Sequence, residues 1–192
     1  MNSHLQYELP RYRQRPHERL VEMLAKMTVE YLPSAGTPIL DVGCGRGELT
    51  HTLSDRGYIL SGFDVDDECL QLSRSFGSTY SVNIDSIPLA TASQFKGAFD
   101  LVVASHVVEH LHDPVAALRA MGDLTTNYVL LAVPNPHSVM TTLATWAGVI
   151  RRVNQTHVAI WDRSHFANLL RNQLGWTIVK WATDWVQFVP WQ

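Results

Sequence analysis

The spacing of apolar positions changes several times along this chain, and each change marks an element. After Pro16, the residues Leu20, Val21, Leu24, Met27 and Leu32 recur at three and four positions, which predicts an amphipathic helix closed by Pro33. Short apolar runs then alternate with helical stretches. The runs predict strands at Pro38 to Val42, Tyr58 to Phe63, Thr79 to Asn83, Asp100 to Ala104 and Tyr128 to Val133, with two more at Thr177 to Trp181 and Trp185 to Val189. Asp113 followed by Pro114 reads as an N-cap with proline at the first helical position, opening a helix through Met121. Another helix is expected from Ser164 to Leu174, with Gly175 as its C′ residue. Strands separated by helices give an α/β fold, a doubly wound and mostly parallel sheet. Residues 1–16 carry no clear period and are expected to form a flexible arm.

Length and composition narrow the setting. The chain has 192 residues, 46% hydrophobic and 17% charged, enough for one domain with its own core and too short for a separate substrate domain. Its net charge of -3 creates no field that would gather nucleic acid, and the arginines at 11, 13, 15 and 19 are diluted by Glu8, Glu18 and Glu22. The longest apolar stretch outside the strands, Val139 to Ile150, falls short of the ~20 residues a membrane span requires. Cys44 and Cys69 form no CxxC pair and no secretory h-region is present, so reduced thiols and a cytoplasmic location are expected.

Candidate chemistry begins at ILDVGCGRGELT, residues Ile39 to Thr50. Asp41 stands at the end of a buried strand, and Gly43, Gly45 and Gly47 fill the turn before a helix, where backbone without Cβ atoms can approach a ligand closely. The third glycine comes one residue too early for GxGxxG, which argues against a pyrophosphate-binding turn. Asp64 ends the second strand about twenty residues later, where a carboxylate can accept hydrogen bonds from both hydroxyls of a ribose. Asp66 and Asp67 read as caps of the next helix.

Taken in order, DVGCGRG, GFDVDD and FDLVVASHVVEHLHDP resemble the class I S-adenosylmethionine (SAM)-dependent methyltransferases, in particular the small-molecule branch that includes ubiquinone-biosynthesis O-methyltransferases, over Ile39 to Gly175. The resemblance implies a Rossmann-like, seven-stranded sheet whose last strand is antiparallel, with SAM across the carboxyl ends of the strands. It implies that Asp41, Gly43 and Gly45 hold the methionine end of SAM, that Asp64 and Val65 meet the ribose, and that Ser105 lines the site. Asn83 falls where the family has an Asp facing the adenine amino group, with Ile84 against the ring and Asp85 as the fallback in a shifted register. An Asn amide oxygen can still accept that hydrogen bond.

Histidines supply the remaining candidates. His106, Glu109 and His110 are spaced to share one face if the chain turns helical after the fourth strand. Some relatives in the ubiquinone branch bind a divalent ion through an acid, Glu and His at this spacing. His106 replaces the first acid, so a pocket-lining role for the trio, with no metal, is expected instead. His157 resembles the histidine that many members carry before the penultimate helix. An imidazole there suits removal of a proton from the methyl acceptor, so His157 and His106 are the expected catalytic residues. Residues 134–157 are expected to insert a lid whose helix places Val139, Leu143, Trp146 and Ile150 on one side; a cover for the sheet edge and a membrane-surface patch are alternative readings.

The expected function is methyl transfer from SAM to oxygen or nitrogen of a small-molecule, lipid or sugar-type acceptor. A non-catalytic SAM-binding or interaction module is the main alternative. An NAD oxidoreductase is opposed by the glycine spacing and by the lack of any Tyr-xxx-Lys pair; a nucleic-acid methyltransferase is opposed by Ser105-His106-Val107 where an Asn-Pro-Pro-aromatic motif would stand. Four of the six tryptophans follow Gly175, which fits packing of the last strands or a homodimer contact.

Overall fold

The computed structural model describes residues 15–82, 94–134 and 157–182. Helix α1 (Arg15–Tyr31) leads into strand β1 (Pro38–Val42), followed by α2 (Glu48–Ser54), β2 (Ile59–Asp64), α3 (Asp67–Ser73), β3 (Ser78–Ser81) and β4 (Phe99–Ser105). A single 3-10 turn (Val108–His110) precedes α4 (Pro114–Leu124) and β5 (Thr125–Ala132). Last comes α5 (Arg163–Asn168), which continues as a π-helical turn over Leu169–Gln173.

The five strands form one sheet in the order β3-β2-β1-β4-β5, and every pairing is parallel. Successive side chains of a strand point to opposite faces, so strands covered by helices on both sides must be apolar throughout. That is why Ile39, Leu101 and Val103 pack beneath Leu24 and Ala25 of α1 and Leu49 and Leu53 of α2. Their neighbours Leu40, Val42, Val102 and Ala104 face the other way, onto Ala117, Leu118, Met121 and Leu124 of α4 and Phe166, Leu169 and Leu170 of the last helix. The order reverses between β1 and β4, and the crevice outside the carboxyl ends of strands at such a reversal is where open α/β sheets bind ligands.

Most expected elements form, with shifted ends. Asp113 caps α4, its carboxylate accepting from the Ala116 amide at 2.9 Å, and the helix runs three residues beyond Met121, directly into β5. Asp66 caps α3 through the amides of Glu68 and Cys69, whereas Asp67 is already its first residue. Gly175 follows the last helix at φ 72, as expected of a C′ residue. Two expectations need correction. The stretch from Ser164 to Leu174 is not one α-helix, since it widens to π-geometry after Asn168. Thr177 to Trp181 pairs with no strand among the described residues; it is held by side chains, with Trp176, Ile178 and Trp181 packed on the core and Val179 exposed. Of the arm expected over 1–16, Arg15 and Pro16 already belong to α1; the rest of it, the expected strand at 185–189 and the lid helix lie outside the described residues. Among the described residues no helix is long and apolar enough to cross a membrane.

Replacing the cap with Asp113→Ala should destabilise the fold by about 1 kcal/mol, the usual loss for such a cap. Urea denaturation should show a lowered midpoint with an unchanged slope.

Candidate functional site

Strand β1 delivers its chain end into the glycine turn, and three consecutive amides of that turn are fastened to the end of β2. Gly43 and Cys44 donate to the Phe63 carbonyl at 2.7 and 3.1 Å, and the Gly45 amide donates to Asp64 Oδ2 at 2.8 Å. Gly43 has φ 71, and a Cβ there would stand 2.4 Å from Val107 Cγ2, so both conformation and contact require glycine. Gly45, at φ 51, differs: a Cβ built on it meets nothing within 4 Å. The backbone at Gly45 therefore borders open space at the carboxyl edge of the sheet.

Two carboxylates flank this turn in unlike settings. Asp41 is buried at 3% exposure, and its Oδ2 accepts the Thr50 hydroxyl at 2.9 Å. Burial pushes its pKa up to about 7, with the charges of Asp64 and Glu48 adding to the rise and the Thr50 bond opposing it. Asp64 is only partly buried and, among the described residues, uses each oxygen once, Oδ2 for Gly45 and Oδ1 for the Asp66 amide at 2.9 Å. A carboxylate oxygen has two lone pairs, so each retains one for a ligand. Val65 beside it is half exposed, and Ser105 ends β4. Asn83 and Ile84, expected at the adenine, lie outside the described residues. The Cys44 thiol, behind the turn, is pushed up to about 12 by burial and by the Asp41 and Asp64 charges. It is a neutral packing group against Gly62, where a Cβ would come within 2.7 Å of its sulfur.

Beyond β4 the chain does not become an α-helix. His106 takes φ 57, the one positive value outside glycine among the described residues, and its amide donates to the Ala132 carbonyl at the end of β5. The 3-10 turn that follows rotates Glu109 inward to 1% exposure. Glu109 Oε1 lies 3.2 Å from His106 Nδ1, while its Oε2 has no hydrogen-bond partner among the described residues. A distant segment closes on the same residue: the amides of Val158 and Ala159 both donate to the Glu109 carbonyl, at 2.8 and 3.1 Å. His157 thereby meets His110 edge to face, ring centroids 4.8 Å apart. Burial lowers the His157 pKa, an effect that His110 and His106 reinforce and Glu109 opposes.

The expected trio of His106, Glu109 and His110 is thus rearranged. One ligand atom each from Glu109, His110 and His157 lies within 4.8 Å of the others, and this set, not the helical face, can gather round a divalent ion. The pairing of Thr50 with Asp41 and the anchoring of residues 157–159 on Glu109 carry no signature in residue spacing, because both are contacts between separate elements.

The raised Asp41 pKa makes a testable stability statement. Its folded form holds a proton that the unfolded chain has released above pH 3.8, so its contribution to stability falls as pH rises from about 4 through about 7. Asp41→Asn keeps an acceptor for Thr50 without the charge. In ligand-free protein the stability of the variant relative to wild type should improve between pH 5 and pH 8, by on the order of 1–3 kcal/mol in urea denaturation. A pH-independent difference would contradict the buried-acid reading.

Comparison with known proteins agrees with this arrangement. A family model described as a methyltransferase domain matches residues 2–180. The ubiquinone biosynthesis O-methyltransferase of Erwinia tasmaniensis is 34% identical over 92 residues, covering 46% of this chain and 38% of that protein. Its counterpart from Saccharophagus degradans is 31% identical over 114 residues, covering 57% and 48%. The chain thus spans less than half the length of these curated relatives. Among solved structures, magnesium protoporphyrin IX methyltransferase from Synechocystis PCC 6803, with bound SAH, superposes with a TM-score of 0.65 at 16% identity, over 82% of this chain and 72% of that one. A SAM-dependent methyltransferase from Archaeoglobus fulgidus gives 0.64 at 19% identity, over 90% and 74%. At such identities these two likenesses speak for the fold alone. With the family match extending over nearly its whole length, the chain belongs to the methyltransferase-domain family.

Proposed function

We propose that the protein is a SAM-dependent methyltransferase acting on oxygen or nitrogen of a small-molecule, lipid or sugar-type acceptor. The observation that carries the reading is the meeting of Gly45 and Asp64 at the carboxyl edge of the sheet: a backbone bordering open space beside a carboxylate with a lone pair left on each oxygen. The names of the similar proteins, including the SAH in the Synechocystis structure, support the same cofactor. In this reading Gly43, Gly45 and Asp41 take the methionine end, Asp64 and Val65 the ribose, and Ser105 lines the site. Asn83 and Ile84 are kept for the adenine.

SAM supplies an electrophilic methyl group on a positively charged sulfur. The chain's task is to hold the acceptor against it and to exclude water, and orientation of this kind can contribute ~7–11 kcal/mol. His157 and His106 are proposed as the acceptor-side groups that take up the acceptor's proton, with no metal required. The lid over residues 134–157, the seven-stranded sheet with its antiparallel last strand and a cytoplasmic location remain parts of this proposal.

SAM and S-adenosylhomocysteine should each stabilise the protein, by about 2.7 kcal/mol at a hundredfold excess over the dissociation constant, read as a melting shift of about 5–10 °C. NAD and NADP should give none; a shift with NAD alone would reverse the assignment. Asp64→Ala should abolish most of the SAM shift. The same variant should fold, since Asp64 is only partly buried, and a variant that shifts like wild type would remove Asp64 from the ribose site.

A further inference from the structure

His106 and His157, proposed separately as proton acceptors, are 51 residues apart in the chain, yet one buried side chain lies near both. Glu109 places Oε1 3.2 Å from His106 Nδ1, and a carboxylate oxygen of Glu109 is within 4.8 Å of ring nitrogens of His110 and His157. At 1% exposure with Oε2 unpartnered, this carboxyl is costly to bury, and a group kept under such conditions needs a compensating role.

The backbone of His106 tells the same story. Its left-handed conformation is strained for a residue with a Cβ, and such strain persists only where surrounding contacts over-determine it. Two hydrogen bonds do so here, from the His106 amide to the Ala132 carbonyl and between the His106 ring and Glu109. Together they set an imidazole that is 46% exposed at the carboxyl end of β4, beside the glycine turn, with its partner sealed underneath. A carboxylate that accepts from Nδ1–H leaves the other ring nitrogen, Nε2, without a proton and directed away from the protein's own acceptor.

We propose that Glu109 is a positioning residue that fixes the His106 ring in its Nδ1–H form, so that the bare Nε2 stands ready for the acceptor's proton. The inference deepens the methyltransferase reading and rests on it. In the step it serves, the acceptor's O–H or N–H proton passes to Nε2 while the heteroatom bonds to the methyl carbon. The electron pair of the broken sulfur–carbon bond stays on sulfur, and the exposed imidazolium returns its proton to solvent. Ring nitrogens of His110 and His157 lie within 4.8 Å of the same carboxyl.

The test is made on the full chain labelled with nitrogen-15, with long-range proton–nitrogen spectra of the histidine rings at pH 8. Wild type should show His106 protonated at Nδ1 and bare at Nε2. Glu109→Ala should move the proton toward Nε2, and Glu109→Gln, whose amide oxygen can still accept from Nδ1–H, should restore the wild-type pattern at least in part. Both variants should keep the SAM-induced melting shift. That measurement separates the two proposals, because loss of the shift in wild type would sink the methyltransferase reading while the ring spectra still report on Glu109. Wild-type His106 protonated at Nε2, or a Glu109→Ala spectrum identical to wild type, would overturn the positioning role. So would visible absorption bands on adding Co²⁺ to wild type that vanish in Glu109→Gln, since Glu109 would then be a metal ligand. Should Glu109→Ala fail to fold, the wild-type tautomer and the Glu109→Gln spectrum decide the matter alone.

Discussion

The attachment of the glycine turn to the end of β2 is the constraint on which the site depends. Phe63 offers its carbonyl to two amides of the turn and Asp64 offers a carboxylate oxygen to a third. With these donors engaged, the turn is held in a conformation reached at folding, so a ligand settling on it has little backbone left to order. The same bonds aim Asp64 across the sheet edge from β2 toward the crevice between β1 and β4. In the proposed function, the lone pairs left on its two oxygens are what would receive a pair of ribose hydroxyls.

Charge follows the same plan. Burial, and after it the charges of Asp64 and Glu48, push Asp41 toward its protonated form beside this loop. Neighbouring carboxylates of this kind weaken the empty protein and favour a cation, and SAM carries one on its sulfur. The price in stability without ligand is thus tied to affinity with it. Beyond β4 the grouping is different: three imidazoles, of His106, His110 and His157, lie near the buried carboxyl of Glu109. The proposed division of labour, cofactor by the acids of β1 and β2 and acceptor proton by the histidines beyond β4, is a division between two edges of one crevice.

Much of this was legible in the residues. β1 occupies Pro38–Val42 as its apolar run predicts, and Asp113-Pro114 opens α4 with the expected cap, because capping and strand burial are decided by neighbours in sequence. Asp41, Gly43, Gly45 and Asp64 converge as their positions at strand ends suggest. What failed to read through depended on partners far along the chain. Whether Thr177 to Trp181 forms a strand depends on a hydrogen-bonded neighbour, which alternation cannot supply. The spacing of His106, Glu109 and His110 suits one face only if the chain turns helical there; the left-handed backbone of His106 is instead held by its amide's hydrogen bond to the Ala132 carbonyl and by Glu109, contacts that no spacing encodes. Glu109 itself was visible as an acid at i+3, yet its burial and its grip on residues 157–159 arise only when the segment returns.

A structure of the protein with S-adenosylhomocysteine tests the central claim most directly. The account predicts both ribose hydroxyls at about 2.7–3.2 Å from the Asp64 carboxylate oxygens, with the Gly45 and Asp66 amides still donating to the same oxygens and the ligand's sulfur on the His106 side of the glycine turn. A ligand bound elsewhere, or bound with Asp64 swung away from its hydroxyls, would contradict it.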